Sequence, residues 1–187
     1  GVDAADFWAQ YDHMYIPELG HNVSVTDYAH TLYIRASWTE FNPQEDLYGW
    51  KIDSNLRAYI EGAYQRNMRL AFRVVVDSRD KRTEFTPQFV KDAGAKGFMN
   101  KGKWSPYSDD PVFQKYYTKF VKALAKDFND PSKVEFIDGF GLGKWGEYHT
   151  MIYSTGDDTP KKAVFDWVTD IYSQAFDKVP VVINYHR

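Results

Sequence analysis

The residues best suited to chemistry lie in one stretch, Val134 to His149, VEFIDGFGLGKWGEYH. Val134, Phe136 and Ile137 read as a short buried strand, after which Gly139, Gly141, Gly143 and Gly146 break any regular pattern. The segment then runs out into Lys144, Trp145, Glu147, Tyr148 and His149. A strand that empties into a glycine-broken, polar and aromatic rim has the character of an active-site loop at the carboxyl end of a barrel strand. Glu147 is the candidate general acid/base, its pKa expected to be raised by the rings of Trp145 and Tyr148. Trp145 would form part of a platform for a sugar ring. The plain alternative is a glycine-rich surface turn with one solvated glutamate.

Other groups could join Glu147. Arg73 is the one charge in the apolar run LAFRVVV; inside a barrel it would point into the lumen toward carboxylates, Asp138 among them, or else sit at a solvent edge. A second carboxylate at a strand end could be Glu40, Asp77 or Asp138. His149 and His186 follow strands expected to be neighbours, so they could meet at the same rim with Asn184 and Tyr185. Such a pair suits a metal or the hydroxyls of a sugar; with no histidines at i, i+4, the reading assigns neither metal nor cofactor. Trp38, Trp145 and Tyr185 are the candidate stacking rings.

These groups need a scaffold. Thr31 to Ala36 is rich in β-branched and aromatic residues and predicts a strand; Leu70 to Val76 predicts a second, covered on both faces. Val134 to Ile137 is a third, and Val179 to Asn184 a fourth. Between them, Asp53 is placed to cap a helix over about Ser54 to Arg66, with Asn67 as a left-handed stop. Thr86-Pro87, Asp110-Pro111 and Thr159-Pro160 each put a capping residue before a proline at a helix start. Two of those helices carry apolar stripes, Phe113, Tyr117, Phe120, Leu124, Phe128 and Val164, Val168, Ile171, which read as packing faces. Asp3 to Tyr15 could be a further short helix.

Alternating strands and helices imply right-handed crossovers and a parallel sheet. The long first strand-to-helix loop has no G-x-G-x-x-G, which disfavours an open dinucleotide-binding sheet. The expected class is α/β, a partial (β/α)8 TIM barrel of four to five strand-helix units, since a whole barrel takes about 250 residues. Residues 1–187 form one domain in this reading, the N-terminal part of such a barrel. Its open sheet would then need the missing half or self-association to cover it.

Composition narrows the partners. A net charge of −3 and the lack of a basic stripe argue against nucleic acid. No apolar run reaches the roughly 20 residues needed to span a bilayer. With no cysteine, thiolate metal sites, disulfides and a cysteine nucleophile are excluded. Aromatic residues make up 18% of the chain, more than a core of this size usually needs, so some should line a binding surface.

Trp38, Pro43, Tyr48, Trp50, Ile52 and Asp53 follow the pattern W-x4-P-x4-Y-x-W-x-I-D, which resembles that of beta-galactosidase-like glycoside hydrolases of the retaining (β/α)8 clan. LAFRVVV and FIDGFGLGKWGEYH resemble the next two strands of such bacterial proteins. The resemblance implies a carbohydrate substrate from plant or microbial glycans, an acid/base after the fourth barrel strand at Glu147, and a nucleophile after the seventh, outside this chain. It also implies a secreted, periplasmic or cell-surface protein. The clan writes Glu-Pro and Asn-Glu where this chain has Asn42-Pro43 and Gly146-Glu147, so contacts to the sugar 2-hydroxyl should differ. A carbohydrate-binding protein on the same scaffold, without turnover, is the alternative.

Overall fold

The computed structural model describes residues 2–183. Helix α1 (Ala4–Asp12) and a small hairpin, β1 (Met14–Ile16) with β2 (His21–Val23), precede strand β3 (Thr31–Ser37). Then come α2 (Trp38–Phe41), α3 (Asn55–Gln65), β4 (Arg69–Val75), α4 (Gln88–Asp92), a second hairpin of β5 (Gly97–Asn100) and β6 (Lys103–Pro106), α5 (Pro111–Phe128), β7 (Val134–Asp138), α6 (Lys161–Ala175) and β8 (Val181–Val182). Strands β3, β4, β7 and β8 form one sheet in that order, every pair parallel. Their carboxyl ends therefore share one edge.

Alternation in the strands decides which face is covered. Leu32 and Ile34 of β3, Leu70, Phe72 and Val74 of β4 and Ile137 of β7 belong to one core with the stripes of α3, α5 and α6. The other face carries Tyr33, Arg35, Arg73 and Asp138. Register settles their neighbours: Arg35 pairs with Arg73, and Phe72 with Ile137, which sets Arg73 beside Asp138.

The strands fall where their patterns put them, with β8 shorter than its apolar run. Asn67 takes the left-handed conformation that ends α3 (φ 56°). Capping is more selective. Asp110 accepts the amide of Phe113 at 2.9 Å. Ser54, not Asp53, caps α3, accepting from Arg57 N at 3.0 Å. Thr86 turns its hydroxyl to the carbonyl of Val76 at 2.9 Å, and α6 begins without a side-chain cap. Helix α1 stops at Asp12, short of the expected Tyr15, and Met14–Ile16 turns into the first hairpin instead. No helix among the described residues is long and apolar enough to cross a membrane.

Candidate functional site at the carboxyl edge of the sheet

The loop after β7 is folded by its backbone. Gly141, Gly143 and Gly146 have φ of 72°, 75° and 71°, and Trp145, Tyr148 and Thr150 also adopt positive φ, at 62°, 63° and 43°. Amides close the turn on itself: Tyr148 N donates to Leu142 O at 3.0 Å, Lys144 N to His149 O at 2.9 Å and Gly146 N to Gly143 O at 3.0 Å. Two glycines let this turn lie against β4. A Cβ on Gly141 would stand 2.1 Å from the Val74 carbonyl oxygen, and one on Gly146 would meet Val75 and Arg73 at 3.2 and 3.3 Å. The close approach carries Glu147 over the end of β4.

Glu147 lands on a guanidinium. Arg73 donates through Nη1 to Glu147 Oε1 at 2.9 Å and through Nε to Asp138 Oδ2 at 3.0 Å. Arg35 Nη1 stands 3.9 Å from the same Oε1, and His149 Nε2 stands 3.4 Å from Oε2. Burial opposes the charge of Glu147, but the Arg73 hydrogen bond, with the positive charges of Arg73 and Arg35, outweighs it and holds the carboxyl below its usual pKa. This reverses the expected direction. The ring of Tyr148 packs on Phe140 and that of Trp145 faces His149, and the cations across the sheet decide the sign. Asp138 goes the other way: burial raises its pKa although Arg73 and the Phe140 amide oppose the rise. One arginine thus holds two carboxylates in opposite surroundings.

The loop after β4 braces this arrangement. Arg79 forms an ion pair with Asp77 at 2.7 Å and donates to the carbonyl of Thr150 at 2.7 Å. Lys144 Nζ reaches Asp80 at 2.7 Å. Asp77 is therefore committed to Arg79, Asp138 is 4% exposed, and Glu40 lies exposed on α2.

Of the predicted stacking rings, Trp145 is 39% exposed, with Lys144 Nζ 4.8 Å from its ring centre and the His149 ring 5.7 Å away. Trp38 is a correction. Its indole is 0% exposed, packs on Phe89, Phe113, Tyr117 and Phe120, and donates to Asn42 Oδ1 at 3.2 Å, so it serves the core and cannot contact a substrate. Asn184, Tyr185 and His186 lie outside the described residues. Sequence reasoning missed Arg35, although a signal existed: TLYIRAS and RLAFRVV each place an arginine at the fifth position of the strand.

No protein-family profile and no curated protein matches the chain. Solved structures do. Exo-beta-1,4-mannosidase Op5Man5 from Opitutaceae bacterium strain TAV5 superposes with a TM-score of 0.58 at 17% identity, over 96% of this chain and 27% of that one. Xylanase B from Clostridium stercorarium F9 gives 0.50 at 13% identity, over 92% of this chain and 48% of the xylanase. The chain thus spans between about a quarter and a half of the length of these enzymes. At such identities the likeness is one of architecture, and it makes the four parallel strands and their helices part of a TIM barrel of the kind that glycoside hydrolases use.

Proposed function

We propose that the chain supplies the acid/base side of a retaining O-glycosidase barrel acting on plant or microbial oligosaccharides, with Glu147 as the acid/base. The observation that carries this reading is the position of Glu147: a partly open carboxylate at the carboxyl edge of a parallel sheet, 3.4 Å from His149, whose ring also faces the exposed ring of Trp145. Retaining hydrolysis alternates one carboxyl between proton donor and proton acceptor while a second attacks the sugar. The resting ionised state of Glu147 suits the accepting half. Donation requires that a bound sugar loosen the Arg73 contact and let the carboxyl take up a proton. The nucleophile is assigned to another segment: Asp77 and Asp138 are buried in their arginine pairs, unlike the partly open Glu147, and Glu40 stands on α2, away from the loop that carries Glu147. A secreted, periplasmic or cell-surface location belongs to the same proposal.

A second reading, carbohydrate binding without turnover, is favoured by one feature: a carboxylate kept ionised by Arg73 accepts hydrogen bonds from sugar hydroxyls well and donates protons poorly. Assays with aryl glycosides separate the two. Hydrolysis that falls about 100-fold or more in Glu147→Gln supports the acid/base role. Hydrolysis unaffected by that change removes Glu147 from the mechanism, and sugar binding without hydrolysis selects the binding reading.

A further inference from the structure

Trp145 is the exposed ring at this edge, and the group that aims it comes from another loop. Lys144 Nζ lies over the indole, 4.8 Å from its centre, and the same ammonium is 2.7 Å from Asp80 Oδ2 in the loop after β4. Lys101, at the tip of the β5–β6 hairpin, reaches Asp80 Oδ1 at 3.7 Å. The indole also meets the His149 ring edge-on, and His149 Nε2 stands 3.4 Å from Glu147. One line of contacts therefore runs from Asp80 through Lys144, Trp145 and His149 to Glu147. The hydrogen bond from Lys144 holds the Asp80 carboxyl below its usual pKa, so the pair is charged at neutral pH. The backbone fixes where Trp145 leaves the loop, at φ 62°, but leaves its two side-chain torsions open. An ammonium seated on the indole face favours one setting of them by cation–π attraction. A lysine on a flexible four-carbon stem does this steadily only if its own head is held, and Asp80 holds it.

Resting on the reading of this edge as a sugar site, we infer that Asp80 is a positioning residue for the sugar platform: its carboxylate pins the Lys144 ammonium on one face of Trp145, which closes that face and presents the opposite one to the sugar. A ring set in advance spares the complex the entropy of ordering it on binding. An ion pair that merely tied two loops together would act on melting alone, without touching the indole or the affinity for a sugar.

The test pairs calorimetric titration with neutral trisaccharides of glucose, galactose, xylose and mannose with acrylamide quenching of Trp145 in the sugar-free protein, read as the difference between each protein and its Trp145→Phe counterpart. Asp80→Asn keeps the shape of the side chain and suits the left-handed backbone at φ 60°. It should weaken binding of the sugar that the parent takes by about two- to fivefold, the range of a partly exposed ion pair, and raise the quenching of Trp145. Lys144→Gln should do the same, and the double variant should be no weaker than the worse single one, since both act through one contact. Asp80→Glu should recover part of the loss. Lys101→Gln, whose pair is long and well exposed, should leave binding unchanged. Unchanged affinity in Asp80→Asn, whatever its melting temperature, overturns the inference and leaves the sugar site standing; so do losses that add in the double variant. Binding of none of the four sugars by the parent overturns the sugar site and the inference with it.

Discussion

Replacing Arg73 by methionine isolates the physical core of the site. The arginine is 8% exposed and Asp138 4%, so the change strands a buried carboxylate. Breaking such a pair from one side costs about 3–5 kcal/mol. Asp138 keeps the amide of Phe140 at 3.1 Å, which argues for the lower end. The contact to Glu147, whose side chain is 26% exposed, adds under about 1 kcal/mol. The expected loss at pH 7 is about 3–4 kcal/mol, a large part of the 5–15 kcal/mol typical of a domain. Its pH dependence follows from linkage. Asp138 already titrates above its ordinary 3.8, and without Arg73 it titrates higher still. Between those two values the folded state holds the extra proton, so stability falls as pH rises through that window, and the deficit of the variant shrinks on acidification. Urea unfolding followed by tryptophan fluorescence at pH 7 and at acidic pH measures both effects. Adding Asp138→Asn should recover at least half of the loss. A variant within about 1 kcal/mol of the parent at pH 7, or a double variant no more stable than the single one, would show that the pair is not what the buried geometry implies.

Two further outcomes test the loop. Glu147 should titrate below its usual 4.5, because the Arg73 hydrogen bond and the charge of Arg35 outweigh its desolvation; carbon-detected NMR reads this directly, and a midpoint above 4.5 refutes it. A depressed carboxyl contributes stability above its unfolded pKa that is lost as pH falls through the folded value, so Arg73→Met should raise the midpoint. Gly141→Ala should cost well over 2 kcal/mol in thermal or urea melts, since its Cβ would stand 2.1 Å from a backbone oxygen at φ 72°, whereas Gly20→Ala, at φ 71° with open space around it, should cost about 1–2 kcal/mol; equal losses would mean that the loop does not press on β4.

The sequence carried much of this design in its periodicities. A nearly continuous apolar run marked β4, the three-and-four spacing marked α5, and the lone arginine in LAFRVVV left two places open, a partner such as Asp138 inside the barrel or a solvent edge, of which the structure shows the first. What escaped it was set at long range. The rings beside Glu147 are adjacent in the chain and suggested a raised pKa, while the arginines that reverse the sign come from two other strands. Trp38 has the right residue type for a platform, but α2 begins at that residue and turns the indole inward; composition holds no record of that direction. The β5–β6 hairpin turns on Lys101 and Gly102, both left-handed at 49° and 78°, a two-residue loop whose Lys-Gly sequence signals less strongly than Asn-Gly.

Trp145, Tyr148 and Thr150 each occupy a backbone region that glycine or asparagine would enter at less cost. Selection for thermal endurance alone would let those positions drift toward the cheaper residues. Their bulk sits instead on a scaffold whose shape is dictated by main-chain amides, so the side chains at the mouth can be exchanged while the carboxyl group keeps its station. A designer seeking new ligands would begin with Trp145 and leave the glycines untouched.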